Sequence, residues 1–369
     1  MSDDELLAWL RLVQAPGVGP GATRRLLAAF GSPQAVLRAS PASWREVAGH
    51  EAATGLAQNH DDIATLHAST VAWLRAAPET RHVVTLGDPA YPDTLLQIAD
   101  PPVLLYAEGC LDLMRAESLA IVGSRHATPP GRDNARQFAT HLSQGGLCIV
   151  SGMALGIDGA AHEGALVGSG STVAVVGTGL EQVYPARHKA LAARIVTDGL
   201  VLSEYPLGTP PLAQNFPRRN RIIAGLTRGT LVVEAAVQSG SLITARLAME
   251  GGREVFAIPG SIHSPQSRGC HRLIQQGAKL VETAADILQE LQWPSNQATT
   301  IAAAAAATDG ASPLQGLLDA MGHDPVTLDA LVARTGYPPA ELNGKLLDLE
   351  LDGRVARLPG GLFQQRQQL

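Results

Sequence analysis

The sequence predicts an α/β protein built on a doubly wound, mostly parallel sheet. Three observations carry that reading. Six short runs rich in β-branched residues follow one another at 119–122, 147–150, 172–176, 200–203, 230–234 and 254–258. Stretches with helical patterning, 131–144, 157–168, 186–197, 216–226 and 241–251, separate them. Small residues gather at the carboxyl end of five of the runs. Short runs with few charges fit strands buried on both faces. Strands that alternate with helices pair in parallel through helical crossovers.

The flanking segments read differently. Residues 1 to about 75 form short helices, with a glycine hairpin at Gly17-Val18-Gly19 between two of them. Such a hairpin aims backbone N–H groups at a phosphate, so Gly17 and Gly19 are candidate DNA contacts. The same turn also serves simply to pack two helices. Two further strands are expected at 82–86 and 103–106. After 295–312, an alanine-rich linker, the order of elements from Pro313 is that of a winged helix-turn-helix. Its last helix carries Glu341, Asp348, Glu350 and Asp352 against Lys345 alone, which favours packing or a protein partner over a DNA groove. The expected domains are 1–78, 79–294 and 313–369, joined by that linker.

Composition narrows the function. The chain of 369 residues has a net charge of -6, a pI near 6.0 and 4% aromatic residues. A protein that coats duplex DNA by bulk charge is excluded, so a nucleic-acid site must be local. Cys110, Cys148 and Cys270 are far apart, which offers neither a zinc site nor a disulfide framework and suits a reducing cytosol. The start lacks a signal-peptide pattern, and the longest low-polarity run, Ile301 to Ala307, is too short to span a membrane. A cytoplasmic protein with no membrane, metal or cofactor requirement is expected.

The most informative stretch is 203–228. No acidic residue lies between Glu204 and Glu234, yet Arg218, Arg219, Arg221 and Arg228 all fall there, just after Phe216. Phosphates take the charge of such arginines, and a base stacks on the ring. On a helix over 217–228, Arg218, Arg221 and Arg228 share one face, and Arg219 falls with Ile222, Ile223 and Leu226. An arginine there needs an anionic ligand or an internal carboxylate. The run ends add Gly123-Ser124-Arg125, Ser151-Gly152, Gly177-Thr178-Gly179 and Ser239-Gly240-Ser241. In a doubly wound sheet these ends meet along one edge, and together with Arg125 and Arg219 they define an anion site. Asp158 and His162 share a helical face, read as a capping or paired carboxylate and a surface histidine. No Walker loop, dinucleotide fingerprint, HExxH or GxSxG is present.

With these residues in view, VGSR (122–125), SGMALGIDGAAHEGAL (151–166), VVGTGLEQVYP (175–185), FPRRNRIIAGL (216–226) and SGSLITA (239–245) resemble the DNA-processing protein A family, DprA, also called Smf. The match runs from about 80 to 290, and the helical front and winged tail suit it. The resemblance implies an extended Rossmann-like sheet with a helix-hairpin-helix or SAM-like N-terminal domain. It also implies a non-enzymatic, homodimeric protein that binds single-stranded DNA and loads the RecA recombinase in natural transformation. By motif, Arg125, Phe216, Arg218, Arg219, Asn220 and Arg221 form the strand pocket, with Lys189 extending it. Ser151, Gly152, Ser239, Gly240 and Ser241 supply its backbone-donor floor. Thr227 stands where the family often has serine, and His188 where asparagine is frequent. On this reading Arg125→Ala with Arg219→Ala loses most strand binding without unfolding. Two rivals remain. The nucleotide phosphoribohydrolases share this outline but carry a PGGxGTxxE glutamate that SGSLITA lacks. An adaptor would work through the winged tail alone.

Overall fold

A computed structural model describes residues 1–58, 62–294, 315–322, 325–358 and 360–366. The linker expected at 295–312 lies outside the described residues. The chain forms two compact units, Met1–Leu291 and Gln292–Leu369.

The first unit opens with six helices, α1 Asp3–Gln14, α2 Pro20–Phe30, α3 Pro33–Arg38, α4 Pro41–Ala48, α5 His50–Ala57 and α6 Asp62–Ala76. Their starts are written locally. Ser2, Ser32 and Ser40 each accept a hydrogen bond from a backbone N–H of the first turn, and α2, α3 and α4 begin with proline. Leu12, Leu26, Val36, Trp44 and Leu56 form their core. The indole of Trp44 donates to Val36 O at 2.7 Å.

The sheet has nine strands: β1 Arg81–Thr85, β2 Leu104–Gly109, β3 Ser118–Val122, β4 Cys148–Ser151, β5 Thr172–Val175, β6 Leu200–Ser203, β7 Gly229–Val232, β8 Glu254–Ala257 and β9 Lys279–Leu280. Their spatial order is β1-β2-β6-β5-β4-β3-β7-β8-β9. Pairing is antiparallel for β1–β2 and β2–β6 and parallel elsewhere. From β3 the chain winds outward to β6, then returns to lay β7 on the other side of β3. The topological switch point, where ligands enter doubly wound sheets, therefore lies between β3 and β7. Ser124 N–H donates to Glu234 O at 2.7 Å and ties the chain beyond those two strands together.

Helices α8 Pro129–Gln144, α9 Ile157–Ala165, α10 Lys189–Asp198, α11 Asn215–Leu226, α12 Ser241–Glu250, α13 Arg268–Gln275 and α14 Ala284–Glu290 follow the strands from β3 onward, and a short α7 Asp93–Leu96 precedes β2. Both faces of the sheet are covered. Ala120, Val122, Val150, Ile222, Ile223 and Val255 belong to one apolar cluster, while Tyr106, Ala174, Val201 and Ile195 belong to another that reaches Trp9 of α1.

The second unit holds α15 Gln315–Met321, β10 Val326–Thr327, α16 Leu328–Thr335, α17 Pro339–Leu351, β11 Val355–Leu358 and β12 Leu362–Gln365, with sheet order β10-β12-β11. This is a winged helix around Leu331, Leu342, Leu346, Leu349 and Phe363. The lysine of α17 is engaged: Lys345 Nζ lies 3.6 Å from Glu341 and 4.9 Å from the centroid of the Tyr337 ring.

Candidate nucleic-acid interface

The groove opens at the switch point. A cavity of about 630 Å³ is lined by the chain after β3 (Gly123–His126), by the loop into α12 (Gln238–Ser241), and by Phe216, Arg219 and Asn220 of α11. Arg125 is exposed, and its guanidinium carbon sits 5.6 Å from the centroid of the Phe216 ring. Tyr184 packs against the same ring: its ring centroid is 5.4 Å from that of Phe216, tilted by 37°. A half-buried ring beside an exposed one, with a cation over the first, offers a base a stacking surface and its phosphate a charge. Gly177 permits this, since a Cβ there would lie 3.1 Å from Phe216 Cδ1.

Arg219 is the fixed charge of the groove wall. It is 4% exposed. Its Nη1 donates to Gly152 O at 2.7 Å and to Val175 O, and its Nε donates to Asn220 Oδ1 at 3.0 Å. Burial lowers its pKa to about 10 even though Asp158 opposes the shift. Gly152 has to be glycine for this, because a Cβ there would stand 2.3 Å from Arg219 Nη2. Asn220 is oriented by its neighbours: Oδ1 accepts from Arg219, and Nδ2 donates to Gly240 O at 3.3 Å. Ser239 and Ser241 share a hydroxyl–hydroxyl bond of 2.7 Å. Asp158 is buried and accepts from Gly152 N and Ala154 N, each at 3.2 Å. Burial raises its pKa against the pull of Arg219 and those two N–H groups.

The structure thus brings together Arg125, Phe216, Arg219, Asn220, Ser239, Gly240 and Ser241. It places the other candidates elsewhere. Arg221 points away from the groove, with Nη2 2.5 Å from Glu204 and Nε 3.4 Å from Asp100. Burial alone would lower its pKa, but those two carboxylates outweigh that and raise it. Arg228 lies beyond α11, donating to Leu291 O at 2.8 Å and pairing with Glu117 at 3.4 Å, so it shares no helical face with Arg218. Arg218 is exposed and outside the lining. Ser151 and Gly152 lie outside the cavity lining. The Ser151 hydroxyl donates to Ile121 O at 2.6 Å, and the Gly152 N–H is taken by Asp158. Lys189 lines a separate, mostly apolar pocket of about 270 Å³ that shares Tyr184 with the groove. Gly17 adopts φ 72°, and a Cβ there would lie 2.5 Å from Glu51 Cγ, which makes that hairpin a packed joint against α5. Gly19 precedes α2 with open space around it. His188, placed outside the family's usual choice, has its Nδ1 3.0 Å from Met153 O. That bond helps hold the buried Met153 in its left-handed conformation, φ 61°.

Sequence reasoning missed Tyr184 and Asn215. Tyr184 was visible in VVGTGLEQVYP only as part of a turn. Asn215 is buried and donates from Nδ2 to Gly177 O at 3.1 Å, joining α11 to the chain after β5. Nothing in its local pattern marks that role.

His162 is fully buried, contrary to the surface position expected, because α9 packs against α8 and the sheet. Thr172 Oγ1 donates to Ile149 O at 2.6 Å, so it accepts from His162 Nδ1–H at 2.7 Å. That leaves Nε2 a bare acceptor. Burial lowers the His162 pKa from 6.5 to about 3. Between those values the unfolded chain binds the proton and the folded one does not, so this histidine's contribution to stability is complete above about pH 6.5 and is lost as pH falls. The loss has a limiting slope of about 1.36 kcal/mol per pH unit. Asp158 acts in the opposite sense, since its raised pKa adds stability on acidification. Comparison with His162→Gln isolates the histidine: urea unfolding at pH 7.5 and pH 5 should show a smaller acid loss in the variant, and equal losses would refute the assignment.

A Rossmann-like α/β unit with a cationic, aromatic-lined groove at its switch point, accompanied by a helix-hairpin-helix front and a winged helix, defines the class. The chain belongs to the DNA recombination-mediator protein A family, whose model matches residues 82–292. The DprA-like N-terminal HHH domain matches 3–60 and the DprA winged helix domain 301–361. Protein Smf of Escherichia coli is 44% identical over 303 residues, covering 81% of this chain and 80% of the relative. DNA processing protein A of Streptococcus pneumoniae superposes with a TM-score of 0.64 at 38% identity, over 79% of this chain and 98% of that one. DNA processing protein A of Helicobacter pylori, described with a single-stranded DNA binding mode, gives 0.53 at 30% identity over 57% of this chain and 96% of that one. No helix among the described residues is long and apolar enough to cross a membrane.

Proposed function

We propose that this chain binds single-stranded DNA in the switch-point groove and acts as a DNA-processing recombination mediator in transformation. The observation that carries the reading is Arg125 over Phe216, with Tyr184 against the same ring. Stacking is indifferent to sequence, because every base has a face. Asn220 and the Ser239–Ser241 loop stand where a sugar or phosphate oxygen would approach. Paired strands keep their bases inside the helix, so a stacking groove selects the unpaired form. A homodimer would place two grooves in one particle and raise apparent affinity through effective concentration. The bound strand is then handed to RecA. In this reading the protein is a cytoplasmic binder and not an enzyme.

The test is fluorescence anisotropy of labelled oligo-dT against a matching duplex across a salt series. Tight, salt-sensitive binding of the single strand, with the duplex much weaker, is the expected result. Equal weakness on both forms, with base release from nucleoside monophosphates, would replace this reading by the hydrolase.

A further inference from the structure

The groove helix is anchored from behind by an ion-pair chain that begins in the N-terminal helices. Arg24, on α2, donates from Nη1 to Asp100 Oδ1 at 2.9 Å and to Pro101 O at 2.9 Å. The other oxygen of the same carboxylate, Oδ2, accepts from Arg221 Nε at 3.4 Å. Arg221 then donates from Nη2 to Glu204 Oε1 at 2.5 Å, directly after β6. Side-chain exposure is 27% at Arg24 and 45% at Asp100, but 15% at Arg221 and 18% at Glu204. The outer pair alone is worth little, being partly open to water. The inner arginine is different, because a mostly buried guanidinium needs its carboxylates to stay where it is. Arg221 adjoins Asn220 and is two residues from Arg219, so whatever fixes its guanidinium fixes the turn of α11 that forms the groove wall.

We propose that Asp100 and Arg24 are positioning residues for strand binding: through the Asp100 carboxylate, the N-terminal helices set the register of α11 against the sheet. The inference rests on the single-strand reading of the groove. It gives the helix-hairpin-helix segment a role that needs no DNA contact, since Arg24 is spent on Asp100 and Arg25 on Val47 O.

The test is Asp100→Asn, which keeps the side chain's shape and removes its charge. Anisotropy with labelled oligo-dT across a salt series is paired with urea unfolding of the same samples. Affinity is expected to fall about tenfold with the salt slope unchanged, because no phosphate contact is lost. Asp100→Glu should recover part of the loss, and adding Arg24→Gln to Asp100→Asn should weaken binding no further. If Asp100→Asn does not fold, Arg24→Gln alone carries the test, with an expected loss of about threefold. Wild-type protein that ignores the oligonucleotide overturns the function and this inference with it. Wild-type protein that binds, beside a folded Asp100→Asn or Arg24→Gln of equal affinity or reduced salt slope, overturns this inference alone.

Discussion

Arg219→Ala is expected to lower folding stability by about 3–5 kcal/mol, the range for removing one partner from a buried charged network. The side chain is 4% exposed and satisfies the carbonyls of Gly152 and Val175. Alanine would take from those acceptors their guanidinium donor at the ends of β4 and β5, and from Asp158 the larger of the two positive charges that oppose its burial. The sequence-based expectation that Arg125→Ala with Arg219→Ala loses strand binding without unfolding therefore carries a stability cost at Arg219. Urea unfolding at pH 7.5 measures it, and a loss below about 1 kcal/mol would show that the groove wall does not depend on this arginine. Any DNA-binding defect of the variant has to be read against that loss.

Strand binding is better tested at the residues that stand free of the core. Phe216→Ala is expected to weaken oligo-dT binding by about 1–3 kcal/mol, the worth of one stacked base. Arg125→Ala is expected to weaken it at low salt and to reduce the slope of log K against log salt by about 0.7, the share of one phosphate contact on a single strand. Arg125 is exposed, with its guanidinium over the Phe216 ring, so the fold should tolerate its loss. The two variants thus separate charge from stacking: Phe216→Ala should leave the slope untouched. An Arg125→Ala protein with an unchanged slope would remove the phosphate from Arg125, and a Phe216→Ala protein of full affinity would remove the base from the ring.

Much of the scaffold was legible because its signals are local. The runs at 119–122 and 200–203 are too short and too apolar for anything but buried strands, and each is observed within a residue of that span. Pro20, Pro33 and Pro41 start helices by fixing φ. The strand at the far edge, Lys279–Leu280, was missed because two residues carry no periodicity. The groove was legible in part. Arg125, Phe216 and Ser239 were read from glycine-rich run ends and an acid-free stretch, and Asn220 from the family motif. Arg221 was placed with them by the family motif, and helical spacing set it beside Arg218 and Arg228; such spacing gives a side chain's angle around its axis but not what waits there. Its partners, Asp100 and Glu204, are 121 and 17 residues away in sequence.

By itself, then, the sequence determined the order of strands and helices, the glycine turns at their ends and the local excess of arginine, since each depends on neighbours within a few residues. Only the tertiary structure decided which arginine faces the groove and which is spent inside. That division turns on burial: the return of β7 to the side of β3 opens a groove above Arg125 and Phe216, encloses Arg219 against two carbonyls, and turns Arg221 toward carboxylates that the chain supplies from elsewhere.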